Sequence, residues 1–307
     1  AADPLDPYRF AREHGFAAFE WFSDKQNGAG WGFEDFDAAE RRRVREQAEH
    51  DDMVFTVHAP WACTALTAAG RQQIRQAIDF ARDVGADLVN VHLTLEQGVD
   101  AFVAGIAEVA HHALQAGVQL TVENTPETGP EACNRVFEAV ARHGVPAGAI
   151  GLCLDVGHAN LCEATRNDYI RFLDALAPEL PITHLHLHEN HGEADEHLVV
   201  FTGPAREDDS GVRMLLERIQ QRGFDGAVIL EQWPDPPMLL LEARRRLVAL
   251  AAATRPRPVE LAAAPELGQR LAQMAIRRTS WRRRLEWIRN EVQSPDFEPT
   301  PESLTDL

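Results

Sequence analysis

The sequence predicts a (β/α)8 barrel built from parallel strands. A unit of one short apolar strand and one amphipathic helix recurs from residue 53 to residue 253, and most of these helices end at a glycine. Strict alternation of strands and helices implies parallel strands joined by right-handed crossovers. A chain of 307 residues is long enough for one such barrel. An open doubly wound sheet is the alternative arrangement of the same units.

Seven strands follow from the apolar runs, and the helices between them follow from 3.6-residue periodicity. A first helix is expected over residues 4–14 and a charged helix over residues 37–50. The predicted strands are 18–22, 53–58, 88–92, 119–123, 150–155, 183–188 and 227–231. The later predicted helices are 68–84, 99–116, 131–143, 166–177, 210–222 and 238–253.

A closed barrel of this class needs eight strands. Because the chain opens with a helix where a first strand would stand, we expect that strand to lie upstream of Ala1 and to be missing here. The barrel is predicted to span residues 1–254. Residues 255–307 are predicted to form a C-terminal helical extension, with a basic amphipathic helix that packs on the barrel or on another subunit, as in a homo-oligomer. The extension is expected to end in a mobile acidic tail.

Composition excludes several classes of function. The net charge of −18 argues against nucleic-acid binding, whose affinity comes largely from cationic contacts to phosphate. No apolar run approaches the length of a membrane span, and no signal peptide is visible at Ala1. The four cysteines form no CxxC pair, which indicates free thiols in a reducing cytoplasm. We therefore expect a cytoplasmic protein whose partner is a small molecule.

Potential metal ligands stand at the ends of six successive predicted strands. Each predicted ligand follows the previous one by 31 to 34 residues, except that the last follows after 45 residues. That gap contains the loop 189–209, which carries Asp195 and His197, and His158 follows the fourth member by three residues. In a barrel these ends meet at the C-terminal rim, where active sites form, and imidazole with carboxylate suits Zn, Mn, Fe or Co. The six residues are His58, His92, Glu123, Asp155, His186 and Glu231.

Histidine and leucine alternate from His184 to His188, which places three imidazoles on one face of a strand. The simplest interpretation is a hydrated polar edge, and the alternative is part of a metal site. His186 is the predicted ligand, whereas His184 and His188 are expected to support it or to contact substrate. Trp61 and Trp233 directly follow ligand positions, and they either pack at the rim or form an apolar wall for a sugar or base.

Over roughly residues 10–254 these motifs resemble the xylose isomerase-like TIM-barrel superfamily, which includes sugar and sugar-phosphate isomerases and epimerases and the endonuclease IV family. The resemblance is carried by His58-Ala-Pro-Trp, Glu123-Asn-Thr, Asp155-Val-Gly-His158, His186-Leu-His-Glu-Asn and Asp195-Glu-His197. By resemblance to the isomerases, one divalent ion would be held by four residues, two of which, Glu123 and Glu231, would also transfer protons. The four residues are Glu123, Asp155, His186 and Glu231.

By resemblance to endonuclease IV, nine ligands would hold three zinc ions. Glu123 would bridge two of the ions, and His158, Asp195 and His197 would hold the third. Two departures pull away from the endonuclease. Trp61-Ala-Cys-Thr and the loop 23–37 lack a basic, DNA-facing pattern. Leu198-Val-Val-Phe-Thr-Gly replaces a Leu-Gly-Glu-Gly-like turn that both subgroups usually carry, so this loop does not indicate the substrate group. The expected function is therefore a metal-dependent isomerase or epimerase with one to three ions. The alternatives are a multinuclear zinc phosphodiesterase or amidohydrolase, and a ligand-binding protein without catalysis.

Overall fold

The computed structural model describes residues 3–23, 25, 30–146 and 148–254. Seven parallel strands form one sheet in this part of the chain, and the predicted extension 255–307 lies outside the described residues. The strands are β1 (Ala18–Phe22), β2 (Val54–His58), β3 (Leu88–His92), β4 (Gln119–Glu123), β5 (Ile150–Asp155), β6 (Ile182–His186) and β7 (Ala227–Ile229).

Helices follow the strands in alternation, and α3 and α4 have the predicted bounds. Gly85 and Gly117 end these two helices in the left-handed conformation, with φ of 81° and 72°, which glycine adopts without steric cost. The helices are α1 (Leu5–Glu13), α2 (Ala38–Asp51), α3 (Ala68–Val84), α4 (Val99–Ala116), α5 (Pro130–Arg142), α6 (Val156–Leu161), α7 (Tyr169–Ala175), α8 (Ser210–Gln221) and α9 (Leu239–Thr254).

The strands lie side by side in sequence order, from β1 to β7. The two edge strands, β1 and β7, come into contact without forming a hydrogen-bonded ladder, so the sheet curls into a nearly closed barrel. The barrel prediction is confirmed, and the alternative of a doubly wound sheet is wrong because the strand order never reverses. The described residues contain the seven predicted strands, and an additional strand upstream of Ala1 stays a prediction.

Three predicted boundaries need correction. The helix predicted over 166–177 is shorter and spans Tyr169–Ala175. A separate short helix, α6, begins directly after Asp155, whose side chain accepts a hydrogen bond from the His158 backbone N–H. Strand β6 ends at His186 rather than at residue 188, because Glu189 turns away to pair with Leu198. Strand β7 ends two residues before Glu231.

An aromatic cluster fixes β1 against the helical layer. Trp21 is 1% exposed and its ring lies 5.4 Å from the rings of Tyr8, Phe36 and Phe55. Burial of such large side chains provides much of the stability of a core. The strand is thereby held even though one of its edges lacks a hydrogen-bonded neighbour among the described residues.

Polar side chains fill part of the barrel interior, whereas branched apolar residues usually fill the interior of barrels of this class. The Thr121 hydroxyl donates a 2.8 Å hydrogen bond to Asn90 Oδ1, and the Asn90 amide donates in turn to Glu123. All three side chains are completely buried. Buried polar groups need such partners, so these hydrogen bonds keep the polar interior from destabilising the fold.

We expect Gly105→Ala to destabilise the protein by about 1–3 kcal/mol, because added atoms in a packed site force the backbone apart. A Cβ at this position of α4 would lie 2.1 Å from the Ala65 carbonyl oxygen. Denaturant unfolding of both proteins measures the change. Gly129→Ala is the control, since the nearest atom to its Cβ would be Cys162 Sγ at 3.6 Å. Equal stability of the two variants would contradict the prediction.

Candidate metal centre

The topology brings the predicted ligands to one mouth of the barrel. Five of them are the last residues of parallel strands: His58 of β2, His92 of β3, Glu123 of β4, Asp155 of β5 and His186 of β6. Glu231 follows the end of β7 by two residues, and its Oε2 lies 3.1 Å from His186 Nδ1. We call these six residues the inner cluster.

Glu123 lies at the middle of the inner cluster. Its Oε2 lies 3.2 Å from His58 Nε2 and 3.5 Å from His186 Nδ1. Its Oε1 lies 3.7 Å from His92 Nε2 and 3.3 Å from His158 Nδ1. The two oxygens of one completely buried carboxylate therefore face different histidines, which is an arrangement that allows one carboxylate to contact two ions.

A second group of donors lies beside the inner cluster, and we call it the outer cluster. Asp195 Oδ2 lies 3.2 Å from both His158 Nε2 and His197 Nε2. His188 Nε2 lies 3.2 Å from Asp155 Oδ1 and 3.8 Å from Asp195 Oδ1. The outer cluster consists of His158, His188, Asp195 and His197.

Backbone carbonyls fix the tautomer of three histidines. The Nδ1–H groups of His58, His158 and His197 donate to the carbonyl oxygens of Ala59, Asn124 and Glu231, at 2.5, 2.9 and 2.7 Å. A neutral ring that donates through Nδ1 keeps a lone pair on Nε2. The Nε2 atoms that face Glu123 and Asp195 are therefore those that could bind a metal.

The separations between these nitrogen and oxygen atoms, which allow hydrogen bonds, also fit ligands of one metal ion. A lone pair on Nε2 repels a carboxylate oxygen 3.2 Å away unless a cation, either a proton or a metal ion, lies between them. Two ligands on one tetrahedral zinc, with bonds of about 2.0–2.1 Å, lie roughly 3.3 Å apart. Moreover, four buried atoms that face the inner cluster lack a hydrogen-bond partner: Glu123 Oε1, Asp155 Oδ2, His186 Nδ1 and Glu231 Oε2.

The surrounding imidazole rings keep two buried carboxylates of the inner cluster ionised. Burial tends to raise the pKa of Glu123, but attraction from His186 and His92 outweighs it and keeps that pKa well below its usual range. Burial also tends to raise the pKa of Asp155, but attraction from the rings of His158 and His188 outweighs it and lowers this pKa to about 2. Both carboxylates are thus held ionised without contact with water, which requires positive charge nearby.

Three supporting side chains were missed at the level of sequence because they are not predicted strand-end ligands. Asn90 donates to Glu123. The Asn124 amide donates to the Asp155 carbonyl oxygen and accepts from the Asp155 backbone N–H, each at 2.9 Å. Glu20, in the middle of β1, accepts from His184 Nε2 at 2.9 Å. The available signal for Glu20 was a single charged residue between the apolar residues of Ala-Phe-Glu-Trp-Phe.

The predicted substrate contacts lie in different surroundings. Trp61 and Trp233 are 52% and 65% exposed, and the Trp233 ring lies 5.1 Å from the His197 ring at the mouth of the site. His188, in contrast, is buried and its ring stacks on His197 with centroids 3.9 Å apart. Gly157 provides the space for that ring, since a Cβ there would lie 1.9 Å from His188 Cε1.

Residues 8–252 match the family described as the xylose isomerase-like TIM barrel. The chain belongs to this family. Members of the xylose isomerase-like family are enzymes that include epimerases, isomerases and endonuclease IV, and they commonly bind divalent metals. The superfamily predicted from the sequence motifs is therefore confirmed.

Individual relatives of this xylose isomerase-like chain are distant. The uncharacterized protein MJ1614 of Methanocaldococcus jannaschii is 27% identical over 173 residues, and the match spans 52% of this chain and 64% of that relative. A D-tagatose 3-epimerase-like protein has a TM-score of 0.64 at 20% identity, and the aligned region covers 80% of this chain and 92% of that protein. Endonuclease IV from Thermus thermophilus has a TM-score of 0.59 at 21% identity, and the aligned region covers 82% of this chain and 96% of that protein. The two solved structures share the fold.

We expect the melting temperature of the metal-free protein to fall as the pH rises from about 6.5 to about 9. Burial tends to lower the pKa of His197, but hydrogen bonding to Asp195 raises it from 6.5 to about 9. The folded state thus holds a proton that the unfolded state has lost, and its stabilisation is complete below pH 6.5 and lost near pH 9. Thermal melts of chelator-treated protein at several pH values measure this slope.

His197→Gln should reduce the slope, since this variant lacks the titrating ring. His111→Gln, at an exposed position on α4, is the matched control and should keep it. An identical slope in wild type and His197→Gln would show that His197 does not cause the effect.

Proposed function

We propose that this chain is a divalent-metal-dependent isomerase or epimerase that acts on a small sugar-like or hydroxy-carbonyl compound. One observation carries the proposal: three carboxylate oxygens, from Glu231, Glu123 and Asp155, converge on His186 Nδ1 at 3.1, 3.5 and 3.8 Å. This set of one nitrogen and three oxygen donors suits Mn, Fe, Co or Zn.

Such a reaction moves a proton beside a carbonyl group, so it needs groups that take and return protons. A bound divalent ion would polarise the substrate oxygen and stabilise the negative charge that develops on it. The Glu231 side chain is 14% exposed, whereas Glu123 is completely buried. Glu231 is thus the more accessible carboxylate for proton exchange with substrate, and Glu123 would act from deeper in the pocket.

Features of the mouth favour an uncharged substrate. The exposed indole rings of Trp61 and Trp233 offer apolar faces on which the C–H groups of a sugar can pack. Lys25, the only lysine of the chain, is paired with Glu34 and Asp35 at 2.9 and 2.8 Å and is therefore already neutralised. Together with the net charge of −18, these features disfavour a polyanion such as DNA.

A multinuclear hydrolase is the second candidate, and the outer cluster favours it. His158 and His197 face Asp195 as ligands of a separate ion would, while the two oxygens of Glu123 face His58 and His92. Metal ions about 3.5–4 Å apart can activate water and stabilise both oxygens of a phosphodiester displacement.

Metal content and a substrate panel distinguish these two functions. For the isomerase we expect one tightly held ion per chain by elemental analysis, and interconversion of at least one sugar or hydroxy-carbonyl compound. Three tightly held ions per chain, together with cleavage of a duplex that contains an abasic site, would overturn the isomerase in favour of the hydrolase. A protein purified without chelator, and then dialysed against metal-free buffer, is the sample for both measurements.

Glu231→Gln should lower kcat by about 10²–10⁴-fold, because the amide can neither accept the substrate proton nor donate a negative charge to the ion. The measurement is turnover of the compound that the wild type converts, alongside the melting temperature of the metal-free variant, which should stay close to wild type. Glu217→Gln, at an exposed position of α8, is the control and should keep full activity. Full turnover by Glu231→Gln would remove this residue from the mechanism.

A further inference from the structure

Glu20 is a buried carboxylate that the proposed mechanism does not use. It is the central residue of β1 and pairs in register with Thr56 of β2. Its neighbours Phe19 and Trp21 belong to the aromatic cluster on the helical side, so strand alternation directs Glu20 into the barrel. Its side chain is only 6% exposed.

Three donors surround this one carboxylate. His184 Nε2 lies 2.9 Å from Oε2, and the Thr56 hydroxyl donates to the same oxygen at 2.7 Å. His186 Nε2 lies 2.8 Å from Oε1, in an ion-pair contact that is bent away from the N–H direction. At these distances, each imidazole nitrogen must carry a proton, because two lone pairs would repel.

The proton on His186 Nε2 determines which nitrogen can bind a metal. With that proton in place, the lone pair of the neutral ring lies on Nδ1, the atom on which the three carboxylates of Glu231, Glu123 and Asp155 converge. His186 is thus oriented in the opposite sense to His58, His158 and His197, whose Nδ1 atoms bond backbone carbonyls.

We propose that Glu20 is a positioning residue of the metal centre: it holds the proton of His186 on Nε2 and so presents Nδ1 to the ion. His184 and Thr56 fix the carboxylate in turn. A carboxylate acceptor also makes a ligating imidazole a stronger donor than a backbone carbonyl does, and loss of such a partner typically weakens metal binding about 10–100-fold. The inference rests on the proposed metal-dependent function.

Glu20→Gln tests the proposal with a side chain of nearly the same shape. An amide NH2 that faces His186 Nε2 favours a lone pair there, so the ring proton moves to Nδ1 and blocks the ligand atom. We expect the variant to bind Co²⁺ about 10–100-fold more weakly than wild type in competition with a chromophoric chelator, with an altered visible absorption spectrum of the bound Co²⁺. Glu138→Gln, on the exposed side of α5, is the matched control and should bind like wild type.

Thr56→Val provides a second measurement, which keeps the charge of Glu20 but removes one of its three donors. We expect a smaller loss of Co²⁺ affinity than in Glu20→Gln, and this variant remains informative even if Glu20→Gln does not fold. Co²⁺ binding by Glu20→Gln with wild-type affinity and spectrum would overturn the inference while leaving the proposed function intact. If the Glu20→Gln chain does not fold, wild-type binding by Thr56→Val would overturn it. A wild-type chain that binds no Co²⁺ would overturn both.

Discussion

The site depends on buried charges that neutralise one another. Glu20, Glu123 and Asp155 are removed from water, yet their pKa values lie below the usual range because imidazole rings surround them. An isolated buried carboxylate would cost several kcal/mol and would take up a proton instead. The buried carboxylates and imidazoles stabilise each other only while protons or metal ions lie between them. The contacts that hold the candidate site together are therefore also contacts that stabilise the barrel interior.

Two kinds of scaffold hold the two clusters. Five of the six inner residues lie on strand ends whose relative positions are fixed by backbone hydrogen bonds, and rigid elements hold ligands more accurately than loops do. Three of the four outer donors, His188, Asp195 and His197, come from the loop after β6, and His197 itself has a φ of 47°. Hydrogen bonds to neighbouring residues hold the side chains of this loop in position. One example is the hydrogen bond that His197 donates to the Glu231 carbonyl oxygen.

The sequence predicted much of this architecture because its periodicities are local. Apolar runs and glycine stops gave the bounds of α3 and α4, and the spacing of one donor per βα unit placed His58, Glu123 and His186 at one mouth. The short helix after Asp155 was not predicted, because it depends on capping by one side chain rather than on periodicity. Glu20 could not be paired with His184, 164 residues away, since no local pattern encodes a contact that exists only once the barrel has curled.

The seam of the barrel has a mechanical consequence. Strands β1 and β7 touch without a backbone ladder between them. One hydrogen bond, to His184, and one ion-pair contact, to His186, reach from β1 across the interior to β6, and both end on the Glu20 carboxylate. Widening of this seam would draw that carboxylate away from the imidazoles of β6. In the proposed metal centre, breathing of the barrel would therefore affect the residence time of the ion through one side chain.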